Sequence, residues 1–152
     1  MDESSTELIL HLVIYGNNGP YIPHNFKISP KAPKFIPKWQ VGRYMVNYSK
    51  HSGEKRRLVD AVRELLPSDF EPLLGPIGLE IQHWRQGPKG RRWEEGDWVV
   101  TRPDESNLDK LIEDALTGLV YKDDNQVCCR PGQDFKRYSK EPRVEIFVYR
   151  ML

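Results

Sequence analysis

Between Leu8 and Tyr15 the chain reads Leu-Ile-Leu-His-Leu-Val-Ile-Tyr, a short apolar run rich in β-branched residues with one polar interruption, His11. It falls far short of the roughly 18 residues of a membrane span and reads as a buried strand. A buried strand needs partners in a sheet and a covering layer, so the rest of the chain must supply both. Gly16-Asn17-Asn18-Gly19-Pro20 ends the run. Five of the chain's twelve prolines then fall between Pro20 and Pro37, with Lys27, Lys31, Lys34 and Lys38 among or beside them. Repeated proline forbids regular helix and blocks strand pairing, so residues 20–37 read as an extended arm.

Beyond the arm, Val41 to Tyr48 suits a short β segment. Ser49 or Ser52 can then cap a helix from Glu54 to Leu66, with Leu58, Val62 and Leu65 or Leu66 inward and Pro67 as the stop. Residues Gly78 to Arg85 alternate with period two, as a strand with one wet face does, and Asp97 to Thr101 suits another. A second helix is predicted over Asn107–Thr117, because Leu108, Leu111, Ile112 and Ala115 recur at helical spacing before Gly118. Strands around Gln126–Arg130 and Arg143–Tyr149 close the chain. With 152 residues and no internal repeat, the expectation is one α+β domain over 1–152: a mixed sheet of about four strands and two main helices.

Charge is segregated along the chain. Between Pro20 and Arg63 ten basic residues face two acids; between Asp104 and Asp124 seven acids face Lys110 and Lys122. A basic half attracts polyanions and an acidic patch attracts cations, which suits a protein that holds phosphates beside a metal; a solvated surface is the plainer reading. The first seven residues are acidic where targeting peptides are basic, and the two cysteines, Cys128 and Cys129, are adjacent and staple nothing distant. A reducing, intracellular, cytoplasmic setting without membrane contact is expected.

Several chemistries are absent from the sequence: it has no Gly-rich phosphate loop ending in Gly-Lys-Ser/Thr, no His-Glu-x-x-His, no Gly-x-Ser-x-Gly and no Cys/His quartet for zinc. The four histidines are scattered. What remains is Arg102 to Leu116 followed by Tyr121 to Val127. On a helix Asn107, Lys110 and Asp114 share a polar face beside the apolar stripe. Asp104 precedes that helix and Asp124 follows it, so both carboxylates are expected near one end of the sheet, where a divalent cation would relieve their repulsion; hard oxygen ligands favour magnesium or manganese. The alternative is local: acids complementing the helix N-terminus, with Lys110 paired to Asp114.

Taken in order, Arg102-Pro103-Asp104, Asn107-Leu108, Lys110, Asp114-Ala115-Leu116 and then Asp123-Asp124-x-Gln126-Val127 resemble the RusA family of Holliday junction resolvases. The likeness reaches more loosely to the first strand, the segment before Tyr44, the basic helix and the Glu145-Ile146-Phe147-Val148 strand. It implies a homodimer that binds branched DNA, specifically four-way junctions, and nicks opposing strands with Mg2+, or with Mn2+ in its place. It implies metal binding by Asp104 and Asp124, with Asp123 adjacent, and a catalytic part for Lys110 alongside them. Lys34, Lys38, Arg43, Arg85, Lys89, Arg91, Arg92, Arg102 and Asn107 are candidates for DNA contacts, which would position the backbone without reading sequence. Trp93, Trp98 and Phe135 could stack on unpaired bases, with core packing the simpler expectation for Trp98.

One position departs from the pattern. The second aspartate of the family's Asp-x-Asp-Asn run falls on Ser106, neutral and a weak metal ligand, although a serine there with Asp109 three residues on approximates a helix capping box. Either Glu105, Asp109 or Asp123 replaces the missing carboxylate, or metal binds weakly while cleavage persists, or the chain is a catalytically impaired relative that binds branched DNA without cutting it. A DNA-independent interaction protein, using its charges for docking, is the remaining class.

Overall fold

The computed structural model describes residues 6–15, 40–45, 51–101 and 104–152. The proposed arm at 20–37, with Lys34 and Lys38, lies outside the described residues, as does Arg102. In chain order the elements are β1 (Thr6–Tyr15), β2 (Gln40–Met45), α1 (His51–Leu65), β3 (Ile77–Arg85), α2 (Glu105–Leu116), a 3-10 turn (Asp124–Gln126), β4 (Val127–Cys129), β5 (Phe135–Tyr138) and β6 (Arg143–Met151). The strands form one mixed sheet in the order β2-β1-β6-β3-β4, with β5 also paired to β3. This is the expected α+β architecture, with more strands than the sequence suggested.

Three cross-strand rows hold the sheet's inner face. Leu10 lies opposite Val148 and Leu79; Leu12 opposite Ile146 and Ile81; Ile14 opposite Val144 and His83. All but His83 are aliphatic and belong to the core, where they meet Leu58, Ala61, Val62 and Leu65 of α1 and Leu108, Ile112, Ala115 and Leu116 of α2. Registration therefore carries a histidine into an aliphatic row. Antiparallel β6 is central because its two neighbours each satisfy one of its ladders.

Two expectations are corrected. Asp97 to Thr101 forms no strand; its backbone follows β5 through single bonds, Val99 N to Lys136 O and Tyr138 N to Asp97 O. The second helix begins at Glu105 with Asp104 at the N-cap, so Ser106 sits inside the first turn and caps nothing. The ladder already starts there, with Leu108 N donating to Asp104 O at 3.1 Å. The four-residue β5 went unpredicted because Phe-Lys-Arg-Tyr is half-buried throughout and shows no clean alternation.

Candidate metal centre and nucleic-acid interface

The N-terminal half of α2 brings two carboxylates one helical turn apart, Glu105 and Asp109, onto the same face. Asp134, immediately before β5, joins them: one ligand oxygen from each lies within 4.8 Å of the others. Parallel pairing of β5 to β3 sets this meeting, since Phe135 lies opposite Gln82 and the Asp134 Oδ1 accepts from Ile81 N at 2.9 Å. His83, 0% exposed, meets Asp109 Oδ1 through Nε2 at 2.6 Å. Burial and the nearby Arg85 charge push the His83 imidazole down to about 3, so the neutral ring donates its Nε2 proton to Asp109.

Burial drives the two inner carboxyls the other way. Asp109 is pushed up to about 6 by desolvation, against its hydrogen bond with Asp134; Asp134 is pushed up to about 6 by desolvation with Asp109 alongside. Cations border the group. Arg130 donates to Glu113 at 2.6 Å and lies 3.6 Å from Asp134. Lys136 donates to Thr101 O at 2.8 Å, and its ammonium is held below the usual lysine range by burial and Arg85, with Asp104 and Glu105 pulling back. Three hard oxygen donors from two elements, two of them disfavoured as neighbouring anions, are a donor set that suits a hard divalent cation.

Of the residues singled out from sequence, Asp104 stands at this end of α2, exposed beside the cluster. Asp124 does not. It lies past the other end of a helix about 18 Å long. Its neighbours are Asp123 and Asp114, and the following Val127 pairs with Ile77 whereas Lys136 pairs with His83, so the strand register agrees. The expected convergence of Asp104 and Asp124 is thus not met within one chain, because an α-helix is a rigid spacer. Asp123 has local work there: its Oδ1 accepts from Asn125 N at 2.9 Å, and Gln126 Oε1 accepts from Asp123 N at 2.9 Å and Lys122 N at 2.8 Å. Gln126 Nε2 in turn donates to Leu73 O and Gly75 O. The Asn125 amide holds the Asp123 carboxyl below its usual range, and the hydrogen bond with Asp123 raises that of Asp124.

Lys110 and Asn107 are exposed on α2, and no ion pair joins Lys110 to Asp114 among the described residues. Lys89, Arg91 and Arg92 are exposed in the loop after β3, open to a polyanion. Arg43 lies in β2. Arg85 is corrected as a DNA contact: at 7% exposure it lies within the site, where its charge acts on His83 and Lys136. Trp98 is corrected too, being 55% exposed rather than core.

Sequence reasoning weighed Glu105 and Asp109 as replacements for a carboxylate at Ser106 but missed Asp134, Lys136 and His83. A signal for His83 existed: period two places it on the face of Leu79 and Ile81, and a buried histidine needs a polar partner. Nothing local marked Asp134, which follows an unpatterned Arg-Pro-Gly-Gln loop.

The sequence model described as Endodeoxyribonuclease RusA matches residues 33–149. A Bacillus subtilis (strain 168) protein, the uncharacterized protein YqaN, is 34% identical over 96 residues, an alignment that covers 55% of this chain and 66% of that protein, just under two thirds of its length. No solved structure matches the chain.

Proposed function

The chain belongs to the RusA endodeoxyribonuclease family, and from that footing we propose that it is a metal-dependent endonuclease resolving four-way DNA junctions as a homodimer. The observation that carries this reading is the group Glu105, Asp109 and Asp134 beside Asp104, flanked by Lys136, in a chain that also exposes Arg91 and Arg92 in the loop after β3. Magnesium or manganese held there would polarise a phosphodiester and lower the pKa of a bound water. Asp104, Glu105, Asp109 and Asp134 are the residues proposed to hold it. His83 orients Asp109 through its Nε2 proton, and Ile81 N fixes Asp134. Lys136, half-buried between Arg85 and the acids, and Lys110, exposed on the same helix, are placed to counter charge on a phosphate.

Asp124, with Asp123, enters such a site only from a second protomer. Mixing Asp104→Asn and Asp124→Asn chains tests this: neither alone nicks a junction, and the mixture does. A silent mixture would remove Asp124 from the shared site.

The principal test is a synthetic four-way junction titrated with magnesium and manganese. Nicks on opposing strands are expected, lost in Asp134→Asn with junction binding retained. A second reading, a branched-DNA binder without cleavage, is favoured by one observation, the neutral and exposed Ser106 one turn from Lys110. Tight binding without nicks at any metal concentration, together with nicking restored by Ser106→Asp, would establish it. Absence of DNA binding would end both readings.

A further inference from the structure

The loop after β3 and the 96–101 segment border a concavity of about 280 Å³, lined among others by Arg91, Arg92, Trp93, Trp98, Val100 and Tyr138. Its construction differs from that of an ordinary surface dent. Trp93 is tilted on Tyr138 with ring centroids 5.8 Å apart, and a Cβ at Gly87 would collide with its indole, so that wall depends on a glycine at 87. Trp98 is pinned on one side by the Arg137 guanidinium, 3.6 Å from the ring centroid, and that guanidinium is anchored by its bond to Gly96 O at 2.9 Å. The backbone beneath is tied to β5 by Gly96 N to Tyr138 O at 2.8 Å and Val99 N to Lys136 O at 3.1 Å. Trp98 nevertheless remains 55% exposed and Val100 90% exposed. A rigidly held indole, open to solvent and bordered by exposed arginines, is a ready stacking surface that loses little side-chain freedom when covered.

We propose that this concavity takes one unpaired nucleobase of a DNA strand, stacked on Trp98, with the flanking phosphates on Arg91 and Arg92. The size suits a single base, falling just below the usual range of about 300–1,000 Å³ for drug-sized ligand pockets. Polarity sets the orientation. Asp97 contributes a carboxylate to the lining, with Oδ2 accepting from Glu94 N at 2.8 Å; it repels a phosphate and attracts an exocyclic amine, whereas the two arginines do the reverse. The base therefore points inward and the backbone outward. The inference rests on the DNA reading above and adds what that reading lacks, a reason to prefer strands with unstacked bases, as at the centre of a branched junction. Lys136 ties this segment to β5: its carbonyl accepts from Val99 N at 3.1 Å, and Asp104 and Glu105 act on its ammonium.

The test compares affinity of the full chain for a single-stranded oligonucleotide and for the blunt duplex of equal length, without added metal, so that cleavage is not involved. Trp98→Ala should weaken single-strand binding by about 5- to 150-fold, the scale of one lost base stack, and weaken duplex binding far less. Trp98→Phe should recover most of the loss, and 2-aminopurine at a junction's branch point should change fluorescence on binding only when an aromatic ring occupies position 98. Arg91→Ala should instead lower affinity for both DNAs and reduce the salt slope by about one. Equal losses on single strand and duplex, or no loss with Trp98→Ala while the unsubstituted chain binds DNA, would overturn the stacking site and leave the nuclease reading intact. A change in sedimentation of the DNA-free Trp98→Ala chain with unaltered single-strand affinity would mark the face as a protein contact and also overturn it. If the unsubstituted chain binds no DNA, the nuclease reading itself fails.

Discussion

The two ends of α2 carry similar acidic side chains and meet opposite fates. At the N-terminal end Asp109 and Asp134 are drawn under the helix, hydrogen-bonded to His83 and Ile81, and pushed up to about 6 by desolvation. At the C-terminal end Asp123 and Asp124 stay in water, and their shifts come from hydrogen bonding, downward for one and upward for the other. Acid count alone therefore says little about metal affinity. What separates the two is whether the fold removes the carboxylates from water close enough together that a cation relieves a real electrostatic penalty.

Four experiments probe that contrast. The largest effect is kinetic: Asp109→Asn or Asp134→Asn should slow junction cleavage about 10²- to 10³-fold, the scale of removing one preorganised charge interaction, whereas Asp114→Asn at the far end should leave the rate near that of the unsubstituted chain. Equal losses at both ends would place the metal elsewhere. Next is metal itself: magnesium or manganese at a hundredfold excess over Kd should stabilise the chain by about 2.7 kcal/mol in thermal melts, and Asp134→Asn should abolish the gain.

The third experiment is pH dependence without metal. Folded Asp109 and Asp134 titrate near 6 against the ordinary 3.8, so the folded state binds more protons than the unfolded state between those values. Their contribution is therefore fully present below about pH 4 and is lost as pH rises through about 6. Relative to the unsubstituted chain, Asp134→Asn should flatten this fall in a denaturant series, and an unchanged slope would show the pair to be well hydrated. Smallest is Asp123→Ala, which removes the cap on the 3-10 turn and should destabilise by about 1 kcal/mol in the same metal-free assay.

Much of the architecture was legible before any coordinates. The apolar spacing of Leu108, Ile112 and Ala115 marked α2, and that of Leu58, Val62 and Leu65 marked α1, because burial on a helix repeats every 3.6 residues. The alternation from Gly78 to Arg85 marked β3 for the corresponding reason. The ordered run from Asp104 to Val127 pointed to the family, which the match over residues 33–149 shows. The helix starts two residues before the predicted Asn107 because the backbone ladder already opens at Asp104, whose carbonyl accepts from Leu108 N, with no side-chain cap marking the start.

The elements, their apolar faces and the family are readable from the chain alone, since each is written in local spacing or residue order. Tertiary structure alone decided which acids meet. Asp134 reaches Asp109 across 25 positions of chain because β5 pairs in parallel with β3 at one register, and register is a property of two strands together. The same geometry holds Asp104 and Asp124 apart, since a helix between two residues sets their separation whatever their chemistry.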